Sequence, residues 1–417
     1  MRMESHRPHR QREAAAFVVA LLLIAGLAIV LAPSASLAQD TNGQTRFDIY
    51  GFAMLDMGYQ TKQNDPAWFD VIRPTKLPAY KDQFGKDGRW FSGVRQSRFG
   101  VKSWTQTSLG ELNTIFEFDL FGVGADAGQT TIRPRHFWGE LGHFGAGQTN
   151  SPFMDVDVFP NCLDYWGPNG MLFFRNVQFR WMPVQGDTRV WLALERPGAS
   201  GDGGDYSVFP EVSSGLTGRF PAPDFSAQCR IGKPWGYVQV AGIVRYIKWD
   251  DVITDQYDLS GDAVGWGVDL SSNLKMKQDV LRLQFVYGEG IQNYFNDATV
   301  DVGAAPNPGN AVTPIKGETI PVTAFTVFYD KQWNDKWTST AGYSYLNMDN
   351  TEGQSADAFK KGQYAVANLL FYPVSNVMLG PELQWVKRDN FKDGFTSDDF
   401  RIQFSAKYNF SYKLGGS

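Results

Sequence analysis

Arginine and lysine recur in this chain at alternate positions of short apolar segments. Arg98 and Lys102 alternate with Phe99 and Val101, and Arg133 and Arg135 follow Ile132. Arg180 lies between Phe179 and Trp181, Arg230 follows Cys229, Arg245 follows Val244, and Arg282 lies between Leu281 and Leu283. Alternation at period two sends successive side chains to opposite faces of a strand. Each segment therefore has an apolar face and a basic one. A guanidinium stays charged at any working pH, and its planar fork takes a carboxylate with two hydrogen bonds. Rows of such groups on one wall can bind anions without covalent chemistry. Glu117, Asp119 and Gln178 share the polar face, so a second reading stays open: cations that only neutralise acids and stiffen the wall.

Parity assigns most of these side chains. Val177, Phe179 and Trp181 make an apolar stripe, leaving Asn176, Gln178 and Arg180 on the polar side. Arg175 has the wrong parity and reaches the polar side only if a bulge or bend at the segment's end turns it. Trp138 and His136 take the apolar-side parity of Ile132. By height, Arg98, Arg133 and Arg135 are expected at the narrowest level, Arg180, Arg230 and Arg282 nearer the turns and Arg245 nearer the loops.

The elements that must position these residues are strands. From Phe400 to Phe410 every even residue is apolar or aromatic and every odd one polar or charged, long enough to cross a bilayer as a tilted strand. About sixteen such segments occur, from 47–59 and 93–104 through to 376–387 and 399–411. Short turns such as 107–110 and 334–336 interleave with long connections at 60–92, 151–173, 197–223 and 289–319. Short turns on one side and long loops on the other predict a transmembrane antiparallel β-barrel, with aromatic girdles at the two interfaces. After Ala38 no run of about eighteen apolar residues appears, which excludes a helical membrane protein.

The loop at 151–173 is too apolar for water. Phe153, Met154, Phe159, Leu163, Tyr165 and Trp166 are expected to pack inside the barrel, with Asp155, Asp157 and Asp164 either opposing the basic wall or bracing the loop. The N-terminus supplies the compartment: Arg2, Arg7, Arg10 and Arg12 precede an apolar run to Leu31, then small residues to Ala38. This is a cleavable export signal, residues 1–38, leaving 39–417 as a single barrel domain. The formal net charge of −5 speaks against nucleic acid as a partner. Cys162 and Cys229 are expected to remain unpaired.

The segment 97–102, SRFGVK, resembles the second-strand motif of Gram-negative porins. FDIYGFAMLDMGYQ (47–60), FEFDLFG (116–122), GQTTIRPRHFWGELG (128–142), GAGQTNSPFMDVDVFP (145–160), YWGPNGM (165–171) and FFRNVQFRW (173–181) together resemble the DcaP-like porins. The resemblance implies a sixteen-stranded homotrimeric channel of the Gram-negative outer membrane, set in lipid and lipopolysaccharide. It also implies passive uptake of small anionic solutes, dicarboxylates above all, with no cofactor and no metal. Two features depart from that pattern. Only a few residues separate Ala38 from Phe47, too few for the helical stalk of the name-giving porin, so barrel contacts are expected to hold the trimer. The chain also runs on past Phe410, where such barrels end.

Two other functions compete. A general diffusion porin with mild ion preference shares every feature above except a saturable site. A barrel enzyme needs a catalytic set, and of four histidines only His136 and His143 survive cleavage, with no Ser-His or metal-ligand spacing around them.

Overall fold

The computed structural model describes residues 45–415; the expected export signal, 1–38, lies outside them. No helix among the described residues is long and apolar enough to cross a membrane. Sixteen long strands make a closed antiparallel barrel. The first half comprises β1 (Thr45–Gln60), β2 (Arg98–Thr107), β3 (Gly110–Phe121), β4 (Thr130–Leu141), β5 (Phe144–Asn150), β6 (Arg175–Val184), β7 (Arg189–Glu195) and β8 (Asp224–Lys233). The second comprises β9 (Gly236–Asp251), β10 (Gly261–Met276), β11 (Asp279–Glu289), β12 (Pro321–Asn334), β13 (Trp337–Met348), β14 (Phe359–Asn368), β15 (Val377–Asn390) and β16 (Thr396–Leu414). A short segment, Arg89–Gly93, pairs with the loop end of β1 above β2.

Closure is made by β1 and β16, whose ladder runs from Phe47 opposite Leu414 to Gln60 opposite Arg401. A closed ladder pairs the strands' backbone groups without leaving an edge, which the hydrocarbon layer demands. The faces sort as alternation predicts. On β16, Phe400, Ile402 and Phe404 are exposed, while Arg401, Gln403 and Ser405 are fully buried. Here β16 exceeds the expected end near 411. Tyr412 and Leu414 keep the outward parity and remain exposed, so the pattern and the pairing both continue past Phe410.

Parity fails on β4. The ladder between β3 and β4 slips, with Glu117 opposite His136 but Phe118 opposite Pro134. Pro134 has no N–H to give a mid-strand ladder, and a bulge absorbs the defect. Arg133 and Arg135 face inward, but beyond the bulge so do His136 and Trp138, contrary to the outward assignment. Trp138 is buried, its Nε1 donating to Glu140 Oε1 at 2.7 Å.

The loop 151–173 touches the wall almost all the way round. Leu163 packs on Met54 of β1 and Leu370, next to β14. Tyr237 of β9 donates to Asp155 at 2.7 Å, and Ser344 Oγ of β13 accepts from the Gly170 N–H at 2.9 Å. Only a segment inside the barrel reaches all of these strands. Phe153, Met154 and Leu172 join its largest apolar cluster with Ile243, Val286 and Leu346. The loop after β1 also folds inward, placing Trp68, Val71 and Ile72 in the interior. Cys162 and Cys229 are free thiols.

Truncation after Phe410 removes the pairing of residues 411–414 with the start of β1 while leaving the remaining ladder. The truncated barrel is expected to assemble but to lose its heat-resistant electrophoretic mobility at a lower temperature than the full chain. Equal melting in that assay would show that the extension adds nothing to closure.

Candidate functional site

The bulge on β4 places two guanidiniums side by side against two acids of β3. Arg133 Nε and Nη2 donate to the two oxygens of Asp119 at 3.1 and 2.8 Å. Arg135 donates from Nε to Glu117 Oε1 at 2.7 Å and from Nη1 to Asp119 Oδ2 at 2.9 Å. Tyr165 of the inward loop completes the group. Its hydroxyl donates to Asp119 and accepts from Arg133 and, at 2.7 Å, from Arg135. Its ring stacks on Phe121, centroids 4.4 Å apart. Tyr50 of β1 donates to the other oxygen of Glu117 at 2.8 Å. The forks of Arg133 and Arg135 are thus filled by the protein's own oxygens, and the group latches the loop to the wall.

A second anchor lies four strands further round the wall. Arg230 on β8 holds Asp155 through Nη2 and Asp157 through Nη1, each at 2.5 Å, and stacks over Tyr237. Asp155 also accepts from the Asp157 N–H at 3.1 Å and from Ser271 Oγ at 2.8 Å. Arg282 pairs with Asp330 at 2.6 Å and donates to the Asp157 carbonyl. Arg245 is buried between Asp224 at 3.0 Å and Asp301 at 2.9 Å. Arg180 is enclosed by Trp138 and Trp191 and donates to Gln178 and the Asn150 carbonyl. Gln178 itself donates to the carbonyls of Thr149, Asn150 and Asn176.

Asp164 faces β14 and the loop after β1. It accepts from the Ile72 and Gly167 N–H groups and from Tyr364. Asp155 and Asp157 therefore brace the loop by opposing Arg230 of the basic wall, and Asp164 braces it through backbone N–H groups and Tyr364.

Of the cations singled out in the sequence, Lys102, Arg175 and Arg180 take part in no ion pair among the described residues, and Arg98 has only a long one. Arg98 lies 3.6 Å from Glu117, whose oxygens already take Arg135 and Tyr50. Lys102 sits 4.9 Å from the centre of the Tyr50 ring. Arg175 stacks over Phe173 at 5.0 Å, lies within the electrostatic reach of Arg135, Arg133 and Asp119, and has a buried Nη1 without a hydrogen-bond partner. Those neighbours belong to the interior, so the end of β6 overrides simple parity. Other inward cations are absent from the sequence selection. Arg95 binds Asp70 and the Gly122 and Gln129 carbonyls. Arg401 donates to the Asp70 carbonyl at 2.6 Å, and Lys407 lies over Phe52 at 5.4 Å. Strict alternation along β16 already put Arg401 and Lys407 on its polar face, which was the available signal. For Tyr165 the signal was hidden, because a ring in an apolar loop looks like packing alone.

Burial pushes the Asp164 carboxyl up to about 7, with nearby Glu382 adding to the rise against the opposing pull of Arg401. The folded chain then holds this proton more tightly than the unfolded one. Its contribution to stability is complete below about pH 4 and is lost as pH rises through about 7. Amide exchange over residues 163–167, corrected for intrinsic rates, is expected to be faster at pH 8 than at pH 6, and Asp164→Asn to abolish the difference. Tyr165→Phe leaves Asp119 and two guanidiniums short of a partner, a loss of about 1–3 kcal/mol. It is expected to speed exchange throughout 151–173; an unchanged rate would remove the latch.

A family model described as DcaP outer membrane protein matches residues 41–410. No curated protein sequence is a significant match. Among solved structures, the outer membrane channel DcaP of Acinetobacter baumannii is similar at TM-score 0.72 and 21% identity, over 90% of this chain and 100% of that one. The anion-selective porin from Comamonas acidovorans is similar at TM-score 0.54 and 11% identity, over 88% and 100%. The trimer form of OmpT from Vibrio cholerae is similar at TM-score 0.52 and 14% identity, over 88% and 99%. At these identities the structures testify to a shared fold.

Proposed function

The chain belongs to the DcaP outer membrane protein family, and on that premise we propose that it is a passive outer-membrane channel for small anionic solutes, dicarboxylates foremost. One observation carries the reading. Acids beside the candidate path are occupied by the protein's own donors, whereas among the described residues Lys102 and Arg175 take part in no ion pair and Arg98 has only a 3.6 Å one with Glu117, which Arg135 and Tyr50 already share. In a lumen walled by low-dielectric protein, such charge favours anions over cations. A dicarboxylate engages two cations at once, and several weak sites let it leave again.

Arg98 and Arg175 flank the narrow level in this reading, and Lys102 lies toward the turn side. Arg133, Arg135, Arg180, Arg230, Arg245 and Arg282 shape the passage by fixing loop and wall. A homotrimer in an outer membrane of lipid and lipopolysaccharide is the proposed assembly, in keeping with the trimer form described for OmpT of Vibrio cholerae. The anion-selective porin among the structural neighbours points the same way.

Reversal potentials in planar bilayers under a potassium chloride gradient test the proposal. Chloride is expected to permeate several-fold better than potassium, and Arg98→Ala with Lys102→Ala to bring the ratio toward unity. Equal permeation of both ions in the unaltered protein would make it a general diffusion porin.

A further inference from the structure

The inner wall of β16, β1 and β2 holds a cation group that the latch does not use. Lys407 on β16 and Arg98 on β2 sit over the same ring, Phe52 of β1, at 5.4 and 5.2 Å from its centre. Register explains the convergence: Phe52 is opposite Arg98, and Met54, two residues on, is opposite Lys407. Below them Lys102 lies over Tyr50 at 4.9 Å. All three cations are half-buried. Among the described residues neither lysine takes part in an ion pair; Arg98 has one with Glu117 at 3.6 Å, and its Nε has no hydrogen-bond partner. The acids on this wall have other donors. Glu117 accepts from Arg135 and Tyr50, Asp56 from Gln403 and Ser405, and Asp48 from Ser411.

We propose that Lys407, Arg98 and Lys102 form a second anion station for small carboxylates and dicarboxylates, beginning at the level of the latch, where Arg98 is opposite Asp119, and running toward the turns at Lys102, with Phe52 and Tyr50 as its floor. This rests on the anion-channel reading and extends it to a residue on the closing strand. The physical point is the kind of partner each cation has. A carboxylate fixes a guanidinium by cancelling its charge, as Asp119 does for Arg133. An aromatic face holds a cation by about 0.5–2 kcal/mol and has no net charge, so the cation is positioned while its field stays available. Arg98 and Lys102 are four residues apart, about 13 Å along the strand, longer than a small dicarboxylate. An anion leaving Arg98 and Lys407 is therefore passed to Lys102 and not bridged between them.

The test is the succinate concentration that halves the chloride current through the purified protein in planar bilayers. Lys407→Met keeps an apolar stem over Phe52 and removes the charge. It is expected to raise that concentration about 3- to 10-fold, while Lys407→Arg stays within about 2-fold of the unaltered protein. Heat-modifiable mobility checks that both variants fold, and Lys407→Gln replaces the methionine variant if that one does not. Succinate block that ignores the loss of Lys407, in a channel that still prefers anions, overturns the station alone. An unaltered channel that neither prefers anions nor responds to succinate overturns the anion reading itself.

Discussion

Asp119 is the point on which the interior depends. It sits between two guanidiniums and under the hydroxyl of a loop tyrosine, fully buried, at a level where water cannot screen it. Removing either guanidinium would leave the Asp119–Glu117 pair short of a compensating charge in low dielectric, which costs several kcal/mol. The loop 151–173 is therefore held against β3 and β4 at Tyr165 and against β8 and β9 at Asp155 and Asp157. Its position between those anchors decides which cations remain open to the lumen. Arg133 and Arg135 are taken up by the latch; Lys102 on β2 and Lys407 on β16 are not, and Arg98 on β2 touches it only through Glu117 at 3.6 Å.

Much of the barrel was legible in the sequence because one rule generates it. A membrane outside and polar groups inside force strict alternation, and β16 obeys it from Phe400 to Leu414. All sixteen strands appear close to where the alternation puts them. The failures have local causes. Pro134 breaks the β3–β4 ladder, so Trp138 and His136 turn inward although they share the parity of Ile132. Arg175 lies where β6 gives way to the loop, and there the loop decides its direction. The inward course of the loop after β1 was not legible at all, since Trp68, Val71 and Ile72 are spread among polar residues and prolines.

The candidate path was legible only in kind. Parity collected the inward cations, but it cannot tell a cation with a partner from one without. That distinction comes from contacts far apart in sequence, such as Tyr165 with Asp119 or Arg245 with Asp301. It reverses the weight of the residues first chosen. Arg133 and Arg135, strong candidates by parity, are neutralised by Asp119 and Glu117. Lys407, outside every motif, keeps its charge. An aromatic floor under a cation is the common feature of the group that stays available, with Phe52 under Arg98 and Lys407 and Tyr50 under Lys102.

The most direct measurement is the anomalous scattering of bromide in crystals of the protein grown or soaked in that salt. Bromide is expected beside Arg98, Lys407 and Lys102 along the wall of β16, β1 and β2, and absent from the buried pairs of Arg135 and Arg245. Bromide gathered at the Arg133–Arg135 latch, with none along that wall, would contradict the account.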